Sequence, residues 1–82
     1  MTDKAGAKKA MADANVEFKA GKYEAALEKY NEAVKLDPGE VMYVANRANV
    51  YLKMKKWKEA EEDCTAALKI NENYAKVNNK LF

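Results

Sequence analysis

Histidine is absent from this chain, and cysteine and proline occur once each. Without histidine, a zinc site of the usual Cys/His kind is excluded and the commonest general base is missing. The single Cys64 leaves no internal disulfide. No glycine-rich phosphate loop and no Gly-x-Ser-x-Gly turn is present, so an enzyme is disfavoured and no metal or cofactor is implied. Nowhere does an uncharged apolar run approach the length of a membrane span, and residues 1–14 lack the apolar centre of a signal peptide. A large excess of either charge sign is also missing. The net charge is +2 although 34% of residues are charged, which argues against a dedicated nucleic-acid binder. These absences point to one small soluble domain in a reducing compartment, cytosolic or nuclear, and cytoplasmic localisation is expected.

What the chain does have is a repeat. Tyr23, Ala26, Tyr30 and Ala33 are answered by Trp57, Ala60, Cys64 and Ala67, each 34 residues later. A period in that range marks a repeat architecture; with each repeat a pair of antiparallel helices, the expected fold is an all-α solenoid of helical hairpins. The first helix is expected over 4–20, rich in Ala, Lys, Met and Glu, with Thr2 or Asp3 as N-cap. Gly21 supplies the left-handed conformation that ends it. A second helix over 23–36 buries Tyr23, Ala26, Leu27, Tyr30, Ala33, Val34 and Leu36, and Asp37-Pro38-Gly39 stops it. The next pair is expected over 40–54, burying Val41, Val44, Ala45, Ala48, Tyr51 and Leu52, and over 57–70. Lys55-Lys56 replaces Gly21-Lys22 at the second hairpin turn. A further helix over 74–82, with Val77 and Leu81 on one side, has no partner in the chain. It is either a terminal cap or an apolar face that seeks another copy or domain.

Rotating away from the buried stripes gives the opposite face of the odd-numbered helices. It carries Lys8, Met11, Asn15, Phe18 and Lys19, then Met42, Asn46, Asn49 and Lys53, then Lys76, Asn79 and Lys80, with no carboxylate among them. The net charge is +2 over 4–20, +1 over 40–54 and +2 over 74–82, against −1 over 23–36 and −2 over 57–70. A wall of lysines and amides favours an anionic ligand. Nucleic acid fits it poorly, because this face offers few aromatics for base stacking and Arg47 lies toward the packed side.

Phe18, Gly21, Tyr23, Ala26, Tyr30, Ala33 and Pro38, with Ala14 at a close-packing point, resemble the tetratricopeptide-repeat signature. Ala48, Tyr51, Trp57, Ala60 and Ala67 match its second copy. The resemblance covers nearly the whole chain as a single domain, with repeats over 7–40 and 41–74 and a partial third over 75–82. It implies a stack whose first helices line a concave groove, with Tyr23, Trp57 and Tyr30 filling the spaces between hairpins. Asn15, Asn46, Lys76 and Lys80 further resemble the carboxylate clamp of the co-chaperone type. That likeness implies a peptide-binding adaptor for the acidic tail of Hsp90 or Hsp70, which ends in Glu-Glu-Val-Asp. Ammonium groups would give charge-assisted hydrogen bonds, and asparagine amides would fix orientation. Met11 stands where the family has a lysine. Phe18, Asn49, Leu52 and Lys53, with Met11, would line the rest of the groove. The alternative is a scaffold that self-associates through residues 74–82; no membrane partner is expected.

Overall fold

The computed structural model describes residues 2–70, which form four helices: α1 (Lys4–Lys19), α2 (Tyr23–Leu36), α3 (Val41–Lys53) and α4 (Trp57–Ile70). The helix expected over 74–82 lies outside the described residues. Each helix boundary follows from local chemistry. Asp3 caps α1, its carboxylate accepting from the Gly6 amide at 2.9 Å, and Glu40 caps α3 by accepting from the Met42 amide at 3.4 Å. The expected ranges 4–20 and 40–54 each included cap residues, Ala20 in one case and Glu40 and Met54 in the other.

Both hairpin turns close with one hydrogen-bond pattern. Gly21 and Lys22 amides donate to the Phe18 and Glu17 carbonyls at 3.0 and 2.9 Å, and Lys55 and Lys56 repeat this on Leu52 and Tyr51 at 3.1 and 2.8 Å. This is a Schellman cap, whose turn residue must be left-handed. Gly21 meets that demand at φ 79° and Lys55 at φ 61°. The missing glycine therefore changes the cost of the second turn and leaves its geometry intact.

Helix α1 packs on α2, α2 on α3 and α3 on α4. Two clusters form the core between the hairpins. Ala7, Ala10 and Ala33 surround Tyr43; Ala14, Ala26 and Tyr30 surround Val50. Alanines at the crossing points let backbones approach closely enough for one large side chain to fill each gap. Tyr43 and Val50 were not on the expected stripe of α3. They are buried because α3 is sandwiched: Val44, Ala45 and Ala48 belong to the expected stripe, while Tyr43 and Val50, seven residues apart, face the first hairpin.

Trp57 departs from expectation in the other direction, being 61% exposed and not a filler between hairpins. Its counterpart Tyr23 is covered by Phe18 of the preceding helix and packs on a cluster containing Val50 of the following one. The positions that would cover Trp57 in the same way from a following helix lie beyond Ile70, outside the described residues.

Candidate functional site

Met11, Asn15 and Phe18 fall at i, i+4 and i+7 along α1, and so share one face. Asn46, Asn49 and Lys53, at i, i+3 and i+7, likewise share a face of α3. The two faces meet where the Asn46 amide nitrogen lies 3.7 Å from the Met11 sulfur, a weak hydrogen bond that joins α1 to α3. Met11 is half-buried here and packs against both core clusters. Phe18 packs its ring against Tyr23, with centroids 5.5 Å apart, and forms an apolar edge. Asn49 and Leu52 are half-buried and Lys53 is exposed. Lys76 and Lys80 lie outside the described residues.

Asn15 is exposed, but its carbonyl oxygen accepts a hydrogen bond from the hydroxyl of Tyr30, whose ring is buried beneath it on α2. Burial raises the Tyr30 pKa above the ordinary phenol value, so the hydroxyl keeps its proton. The sequence pattern assigned Tyr30 to the core alone. The signal that could have found its second role is chemical, since a buried tyrosine hydroxyl needs a partner.

Electrostatically the face is simple. Its described members Met11, Asn15, Phe18, Asn46, Asn49, Leu52 and Lys53 include no carboxylate. Arg47, one residue from Asn46, is turned away: it donates to Asp63 on α4 and to Asn31 on α2. Concave depressions occur elsewhere, on α4 beside Lys58, Glu61, Glu62 and Thr65, and along the seam of α1 and α2 beside Asp13, Glu17 and Glu28. Those are mixed-charge hollows of the outer surface. Among the described residues, no cluster of His, Cys, Asp or Glu could hold a metal ion, and no helix is long and apolar enough to cross a membrane.

A family model described as TPR repeat matches residues 14–55, and one described as tetratricopeptide repeat matches residues 45–74. The chain belongs to the tetratricopeptide-repeat family. Human mitochondrial import receptor subunit TOM70 is 43% identical over 68 residues, which is 77% of this chain and 11% of the receptor. Among solved tetratricopeptide-repeat structures, the first such domain of Spaghetti (RPAP3), bound to the HSP90 peptide SRMEEVD, superposes with a TM-score of 0.88 at 35% identity. The match covers 92% of this chain and 60% of that one. The second such domain of human RPAP3, in complex with the HSP70 peptide SGPTIEEVD, gives 0.75 at 39% identity, over 87% of this chain and 62% of that one. The present chain therefore spans about a tenth of the import receptor and about three fifths of the two solved domains.

Proposed function

We propose that this tetratricopeptide-repeat chain is a protein-interaction adaptor whose α1–α3 groove binds the acidic C-terminal tail of a chaperone of the Hsp90 or Hsp70 class. The observation that carries the reading is the contact of Asn46 with Met11, which lies one helical turn from Asn15 on the same face of α1. It is supported by the 0.88 TM-score to a domain bound to SRMEEVD. In this reading Asn15 and Asn46 donate to the terminal carboxylate of the peptide, and Lys76 and Lys80 supply charge to its last aspartate. Phe18, Asn49, Leu52 and Lys53 border the apolar residues that precede it. The repeats run over 7–40 and 41–74, the setting is cytoplasmic, and no reaction, nucleic acid or membrane is assigned.

Isothermal titration with the peptide Ser-Arg-Met-Glu-Glu-Val-Asp and with its C-terminal amide tests this reading. Binding of the free acid, weakened at least tenfold by amidation and by Asn15→Ala or Lys76→Ala, is expected from the loss of a hydrogen bond to a charged group. Equal heats from acid and amide would overturn it. Exposed Trp57, Leu68 and Ile70 on α4 motivate a parallel measurement of sedimentation against concentration. A rising mass without peptide binding would favour the scaffold reading through 74–82 instead.

A further inference from the structure

An asparagine amide presents nearly the same shape with its oxygen or its nitrogen outward, yet the two faces are chemical opposites to a carboxylate. A carboxylate only accepts hydrogen bonds. It is bound by the NH2 group and repelled by the carbonyl oxygen. On an exposed helix face such as that of Asn15, nothing in the backbone chooses between the two orientations.

We propose that Tyr30 is the positioning residue of the carboxylate site: its buried hydroxyl holds the Asn15 oxygen inward and so turns the NH2 donors toward the groove. This rests on the peptide-binding reading above. The Tyr30 ring is only 3% exposed, seated among Ala14, Ala26 and Val50, so the hydroxyl cannot follow a flipped amide outward. Nor can the polarity of the pair reverse cheaply. Among the described residues the hydroxyl has no other acceptor, so an inward NH2 would strand the hydroxyl proton in the core.

The second repeat supplies an internal contrast. Counted 34 residues on, Asn15 corresponds to Asn49 and Tyr30 to Cys64. A thiol is a poor donor, and no hydrogen bond joins Cys64 to Asn49 among the described residues. The first repeat alone thus pairs a buried hydroxyl with the groove asparagine. A phenylalanine at position 30 would fill the core equally well, which makes the hydroxyl dispensable for packing and specific to Asn15.

The test uses the whole chain, Tyr30→Phe, Asn15→Ala and the double variant, titrated with Ser-Arg-Met-Glu-Glu-Val-Asp. Tyr30→Phe is expected to weaken binding about five- to tenfold, with its thermal midpoint within a few degrees of the parent. In the Asn15→Ala background the same change should cost nothing further. An affinity within twofold of the parent, or an equal loss in both backgrounds, would overturn the proposal. Nuclear Overhauser spectra of the peptide-free chain read the orientation directly. The Asn15 NH2 protons should be remote from the ring at position 30 in the parent and approach it in Tyr30→Phe; close contacts in the parent would overturn it. If the parent bound no peptide, the peptide-binding reading would fall by itself, and the amide spectra would still decide whether Tyr30 sets the orientation.

Discussion

Arg47 grips Asp63 across the second hairpin with two nitrogens, Nε to Oδ2 at 2.8 Å and a terminal nitrogen to Oδ1 at 2.6 Å. Its other terminal nitrogen reaches Asn31 of α2 at 3.0 Å, so one guanidinium ties three helices. Hydrogen bonding to Asp63 raises the Arg47 pKa, outweighing the opposing effect of burial. The fork of donors matches the carboxylate, and the Asp63 side chain is almost wholly buried. This also explains why the lone arginine of the chain takes no part in the groove.

Breaking that pair should be costly, because the remaining charge would be left buried. Arg47→Ala or Asp63→Ala is expected to destabilise the fold by about 3 to 5 kcal/mol, most of the stability a domain of this size has. Urea unfolding followed by circular dichroism measures it. An Arg47→Met, Asp63→Leu double variant should recover most of the loss, since no unpaired charge remains.

Lys55 and Gly21 occupy the same left-handed turn position in the two hairpins. Lys55→Gly should therefore stabilise the chain by up to ~1 kcal/mol, the strain relieved exceeding the added flexibility of the unfolded chain. Gly21→Ala should do the opposite by about 1 to 2 kcal/mol. The thermal midpoints of the two variants should move in opposite directions; equal shifts would refute the assignment.

Met11 gives the groove a thioether beside Asn46 where a cation would serve an anionic ligand better. Replacing it, Met11→Lys, is expected to raise affinity for Ser-Arg-Met-Glu-Glu-Val-Asp about tenfold or more, the value of a charge-assisted hydrogen bond. The gain should shrink as salt is added. Titrations at low and high ionic strength check both points.

Burial first, and the nearby Asp63 charge second, push the Cys64 thiol above its ordinary pKa. A raised folded value means that the protonated thiol is favoured in the fold. The associated stability is complete below the unfolded-chain pKa and is lost as pH rises from there through the folded value. Reaction with a thiol-specific disulfide reagent should be slower at pH 8 in the folded chain than in urea, and its pH midpoint should lie higher. An equal rate in the two states would count against a protected thiol.

Much of the architecture was legible from punctuation and period. Gly21 and Asp37-Pro38 end helices for backbone reasons that need no partner, and the alanine spacing identifies the crossing points. The burial of Tyr43 and Val50 was not legible, since one amphipathic stripe suffices for a helix with a single neighbour and α3 has two. The exposure of Trp57 was not legible either, since the 34-residue offset pairs it with half-buried Tyr23 without specifying what packs on it.

The candidate site divides the same way. Residue type and the 34-residue offset by themselves determined which side chains share the face of α1 and which share that of α3, because helical geometry is local. Only tertiary structure decided that Asn46 meets Met11, that Arg47 is spent on Asp63, and that the hydroxyl of Tyr30 stands beneath Asn15. Those contacts join residues 15, 16 or 35 positions apart on different helices, and packing alone brings such residues within hydrogen-bond reach.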